Sequence, residues 1–228
     1  MRAFVAQRPK LLSVRQLEQV EPQLARSLGL DPKRHVSAGL ITCDQDDSLY
    51  AALDHATKFA DVDVVYARSF YAGSAHASGP LSGEIMGVLA GPDPSEVAEG
   101  LWAMREALTS KIHFVTFEGT SGPAFFPHVI PECGRYLAPL ANIKPGQPLG
   151  YFIAPPMEAL IGIDAALKVS NVTLQKFFGP PTETNFAGGY FTGSLADVEA
   201  AARAFSEALE SVVLSPLGGL VRPERERR

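Results

Sequence analysis

The sequence predicts an α/β fold in which one small unit is built twice in tandem. Three observations carry this. Apolar residues make up 46% of the 228 and charged residues 20%, a balance that sustains a packed core and excludes global disorder. Short apolar runs alternate with alanine-rich amphipathic stretches along the whole chain. The second half also repeats the first. Asp54 and Lys58 recur at one common offset as Asp164 and Lys168 inside similar segments, 50–58 and 160–168. The match continues in the same order: 60–62 with 170–172, 87–91 with 189–193, and 106–108 with 207–209. The offset shortens toward the end because the first half carries the longer internal loop. One such match could be chance, but an ordered series is the mark of duplication.

Each half reads alike, element by element. A β-branched or aromatic run opens it, 38–42 and 149–154. An amphipathic helix follows, predicted over 47–60 and 157–170, with apolar residues at three- and four-residue spacing. Next come a short strand (62–66 or 172–177), a Gly/Pro-rich loop, and another strand (84–90 or 188–192). A second helix closes the unit, over 94–109 and 195–214, with Pro94 at the favoured first-turn position. Ahead of each unit lie further strands, 9–20 in the first half and two within 112–129 joined by the turn 118–122. The expected division is therefore 1–110 and 111–217, followed by a tail, 218–228, that mixes arginines with Glu224 and Glu226 and reads as a solvated end.

Charge and composition exclude several functions. The net charge is −5, and no basic surface is available for nucleic acid beyond that tail. No apolar run reaches the roughly 20 residues of a membrane span, and the N-terminus lacks a signal-type apolar core. The two cysteines, Cys43 and Cys133, form no Cys-x-x-Cys pair and suit a reducing cytoplasm without a disulfide framework. Phosphate-loop, dinucleotide and nucleophile-elbow motifs are missing, and the five histidines never fall at metal-ligand spacing. Neither a cofactor nor a metal is expected, and an enzymatic role is disfavoured.

Three segments are unusual. The acidic run 44–47 sits where a strand passes into a helix, so Asp46 or Asp47 can cap that helix and complement its dipole; a ligand role is compatible with capping. The long loop 68–84 is rich in small residues, and a connection of that length is more than structure requires. The loop 179–188 occupies the matching place in the second half.

At these loops the chain resembles the EutL-type shell proteins of ethanolamine-utilisation bacterial microcompartments, over about residues 12–216. The most telling stretches are 41–50, 63–66, 69–84, 91–94, 154–158, 162–166 and 180–186. The resemblance implies two tandem, circularly permuted shell domains of ferredoxin-like α+β architecture. It further implies a homotrimer that imitates a hexamer, tiles with other microcompartment shell proteins, and carries a gated central pore. The gate would lie in the two loops, with Phe70, Tyr71, Gly73, Ser74 and His76 on one and Thr182 and Glu183 on the other. A small acidic pore in each chain would comprise Asp46, Asp47, Glu84 and Glu158. By the same resemblance, Asp46, Glu84, Phe114, Thr184, Asn185 and Phe186 would hold ethanolamine or a related amino alcohol. Phe186 departs from the tyrosine common at that position. Two other readings compete with the tile: a small-ligand sensor, or an enzyme that uses the acidic cluster on an amino alcohol.

Overall fold

A computed structural model of the chain describes residues 2–70, 79–180 and 182–219. Two four-stranded antiparallel sheets form its frame. The first contains β2 (Leu11–Leu17), β3 (Ser37–Cys43), β4 (Asp63–Ser69) and β5 (Ile85–Gly91), in the order β2-β3-β5-β4. The second contains β7 (Phe126–Ile130), β8 (Leu149–Ala154), β9 (Thr173–Phe178) and β10 (Ala187–Thr192), in the order β7-β8-β10-β9. Sequential correspondence gives the same order in both, as a duplicated unit requires. The registers agree as well, with Val14 opposite Ile41 in one sheet and Pro127 opposite Phe152 in the other.

Each sheet carries two long helices. On the first lie α2 (Asp46–Ala56) and α3 (Pro94–Ser110); on the second lie α5 (Pro156–Val169) and α6 (Leu195–Leu214). Local chemistry sets their starts. Asp93 caps α3 by accepting from Ser95 N at 2.8 Å and Glu96 N at 3.0 Å, with Pro94 behind it. Ser194 caps α6 by accepting from Asp197 N at 3.2 Å. Helix α2 stops at Ala56, short of the residue 60 that its periodicity suggests. The reason is that Thr57 and Lys58 bond back to Asp54 and His55 in a tighter turn.

Three elements are not evident from the sequence. Strand β1 (Phe4–Gln7) crosses to pair with β6 (Phe114–Phe117) in a separate two-stranded ribbon. Helix α1 (Pro22–Ser27) has no buried residue, and α4 (Leu137–Leu140) is a single turn.

The largest core cluster does not respect the boundary at Ser110. Leu49, Ala52 and Leu53 of α2 share it with Phe126, Leu137, Tyr151 and Tyr190 of the second half. Asp54 anchors this seam. Its fully buried carboxylate accepts from Gly134 N at 2.6 Å, Leu137 N at 2.7 Å and Tyr136 N at 3.2 Å, so it caps α4 from across the junction. Gly134 is required there, because a Cβ would stand 2.4 Å from the Asp54 carbonyl oxygen. Cys43 and Cys133 are both buried and unpaired. No described helix is long and apolar enough to cross a membrane.

Candidate functional site

Where the N-terminus of α2 meets the second sheet, a cleft of about 300 Å³ opens. Asp46 and Asp47 occupy the first turn of α2, and both are buried. The formal cap is Gln45, one residue earlier than the acidic run suggested, and its side chain makes no capping bond. Instead Asp46 Oδ1 accepts from Asp47 N at 2.8 Å, while Asp46 Oδ2 receives the Thr184 hydroxyl at 3.4 Å from the second half. The Tyr151 hydroxyl donates to Asp47 Oδ1.

The electrostatics follow from this geometry. Burial pushes the Asp46 carboxyl above its ordinary range. Burial pushes Asp47 up much further, and the charges of Asp46 and Glu84 add to the effect. Glu84 is raised by its own burial and then by Asp46 and Asp44. Three carboxyl groups thus act on one another through charge, and among the described residues no ion pair neutralises any of them. Such a group either holds protons or recruits a cation. The cleft is not purely acidic, since Lys176 also lines it, with its ammonium 5.4 Å from the Phe178 ring centre.

The residues expected from the sequence divide into three sets. Asp46, Asp47, Thr182, Glu183, Thr184 and Phe186 line the cleft together. Thr182 and Glu183, expected at a central gate, are thus part of this same wall. Glu84 acts on it through charge, and Phe114 supports it from behind, edge-on to Phe186 at 5.8 Å and stacked on Phe126 at 5.0 Å. Two residues are not brought to it. Asn185 sits exposed in the left-handed region, φ 64°, where it closes the turn that carries Thr184. Glu158 lies half-exposed on the first turn of α5 and does not line the cleft. Of the first gate loop, Phe70 is described, and its N–H donates to Glu84 O at 2.9 Å. Tyr71, Gly73, Ser74 and His76 lie outside the described residues, as does the tail from residue 220.

Sequence reasoning missed the cleft's aromatic wall. Tyr50, Tyr136, Tyr151 and Tyr190 line it, four of the six tyrosines in the chain. Ser69 joins them by donating from both its N–H and its hydroxyl to the Tyr50 hydroxyl, at 3.0 and 3.1 Å. The available signal was the placement of tyrosine, a residue with a polar tip, inside segments that otherwise read as core.

The repeated α/β fold has counterparts among known proteins. Residues 37–119 match the BMC domain, and relatives 43–48% identical over 92% of this chain place it in the class of bacterial microcompartment shell proteins. The bacterial microcompartment shell protein EutL of Clostridium perfringens is 48% identical over 211 residues, 92% of this chain and 97% of that one. The crystal structure of EutL from that organism superposes with a TM-score of 0.91 at 47% identity, covering 96% of this chain and 99% of that chain. The ethanolamine utilization protein EutL from Leptotrichia buccalis gives 0.89 at 44% identity, covering 93% and 98%. The chain belongs to the EutL family of bacterial microcompartment shell proteins.

Proposed function

We propose that three copies of the chain close into a ring, each supplying two shell units (1–110 and 111–217), and that the ring is a facet tile with a central pore. One observation carries this reading: the same helix face is covered in one half and bare in the other. In α2, Ala51 (2% exposed) and Asp54 (0%) are packed against the second half of their own chain. Their counterparts in α5 are Ile161, 45% exposed, and Asp164, whose side chain is 62% exposed and paired only with Lys168. Met157 and Leu160 extend the bare stripe. Meanwhile α1, which corresponds to the covered α4, has no buried residue and exposes Leu24. The face of α5 therefore suits the first half of the next copy, as the face of α2 suits the second half of its own. Such a head-to-tail contact makes a ring where its rotation closes, which we propose it does at three copies. Light scattering should give about 73 kDa for three chains of 24.4 kDa. Leu160→Asp with Ile161→Asp should return the monomer mass. A parent protein that is monomeric at micromolar concentration refutes the ring.

The cleft is the proposed site for a small amino alcohol such as ethanolamine. An ammonium group offers three donors and the charge that Asp46, Asp47 and Glu84 lack, while the Thr184 and Ser69 hydroxyls suit the alcohol end. Screening in an open cleft keeps the binding weak. Titration calorimetry with ethanolamine should show binding that Asp46→Asn with Glu84→Gln weakens without changing the ring mass. Unchanged binding in that double variant refutes the site.

A further inference from the structure

The duplication exposes a second vacancy, on the opposite helix of the first unit. Between β2 and α3 lies an apolar groove of about 420 Å³, walled by Leu11, Val14, Ala98, Leu101 and Trp102, with Arg105 at its rim. Trp102 is 55% exposed, and the Arg105 guanidinium lies 5.5 Å from its ring centre. In the second unit the corresponding surface is closed. Leu101 and Met104 of α3 correspond to Ala202 and Phe205 of α6, and those residues pack under Val115, Phe117 and Phe125. The cover is an extended strand. Val115 and Phe125 exchange both backbone hydrogen bonds, at 2.8 and 2.9 Å, so β6 runs antiparallel beside the chain entering β7.

The first unit has no such cover because β1, the strand preceding β2, turns away to pair with β6. This leaves β2 as a sheet edge bonded only to β3. The Arg15 guanidinium occupies the Val14 carbonyl there, at 2.8 Å, a contact that an incoming strand can displace. A bare sheet edge beside an apolar groove is the geometry of strand addition, in which backbone bonds supply affinity and alternate side chains fill pockets. Among the described residues Arg105 has no carboxylate partner.

We propose that this groove docks a short extended segment of a partner protein. The segment adds antiparallel to β2, sets alternating aromatic or aliphatic side chains against Leu101 and Trp102, and presents a carboxylate to Arg105. The interaction is independent of the amino-alcohol site.

Trp102 is the only tryptophan, so its emission in the full-length assembled protein reads the groove directly. The probe is a synthetic peptide copying residues 111–118, the segment that covers the corresponding surface. Saturable binding with a blue shift is expected. It should be abolished by Leu101→Glu and weakened about tenfold by Arg105→Glu, the weight of one charged hydrogen bond. A peptide with proline at alternate positions, unable to add as a strand, should not bind. The proposal is overturned if emission is unmoved by the 111–118 peptide, if the proline peptide binds equally well, or if acrylamide cannot reach Trp102 before any peptide is added. The last result would mean that a neighbouring copy already fills the groove.

Discussion

Replacing Asp54 by alanine tests the seam between the two halves. The carboxylate is fully buried and receives three backbone N–H groups from the second half. Its removal strands Gly134, Tyr136 and Leu137 donors where water has little access. An unsatisfied buried donor costs about 1–3 kcal/mol. The Tyr136 bond, at 3.2 Å, is the weakest of the three, so about 3–5 kcal/mol is expected in total. Against a typical stability of about 5–15 kcal/mol this is severe. For a chain of this size it corresponds to a fall in Tm of about 10 °C. Asp54→Asn keeps one acceptor oxygen but turns an amide donor toward a backbone donor, so a loss of about 1–3 kcal/mol is expected. Gly134→Ala attacks the same contact from the other side, since its Cβ would meet the Asp54 carbonyl at 2.4 Å. The double variant Asp54→Ala, Gly134→Ala should cost less than the two singles combined, because both break one junction. Urea unfolding at fixed protein concentration measures all of these. An Asp54→Ala protein within 0.5 kcal/mol of the parent (~ the scatter of surface substitutions) would refute the view that this carboxylate joins the halves.

Two further predictions concern part-buried His128 and buried Tyr151. His128 stacks on Phe126 at 5.0 Å and its pKa is pushed down to about 3 by burial, helped by the charges of His113, Lys58, Lys111 and His55. The unfolded chain takes up this proton at a pKa near 6.5, so the stability is present above that pH and is lost as pH falls from 6.5 toward 3. At pH 5 the loss is about 2 kcal/mol, and His128→Phe should remove that part of the acid transition in a Tm-against-pH series. Tyr151→Phe removes the hydroxyl that donates to buried Asp47 and should cost about 1–3 kcal/mol by calorimetry, with the mass in light scattering equal to that of the parent.

The elements legible in the sequence are those that carry their own punctuation. Strand β8 lies between Pro148 and Pro155, and α6 between the Ser194 cap and Pro216, and both have the bounds that the sequence predicts. Three elements had no such signal. With nothing buried, α1 shows no apolar periodicity; α4 contains a proline in four residues; β1 is defined by pairing with a strand more than a hundred residues away. The cleft divides in the same way. Asp46 and Asp47 stand out as a local acidic run, whereas the approach of Thr184 and Tyr151 depends on how the two sheets meet. The repeat itself misleads in one respect. Asp54 and Asp164 look equivalent, yet one is a buried cap and the other an exposed member of an i,i+4 pair.

The ribbon of β1 and β6 has a consequence for how such a gene can evolve. Strand Phe4–Gln7 belongs by position to the first half but finds its hydrogen-bond partners in the second. Two separate polypeptides, split after Ser110, would have to rebuild that pairing by collision. One continuous chain holds the strands at an effective concentration in the millimolar range. Continuity of the chain therefore guarantees equal numbers of both halves and makes separation costly, so each half is free to diverge from the other while remaining bound to it.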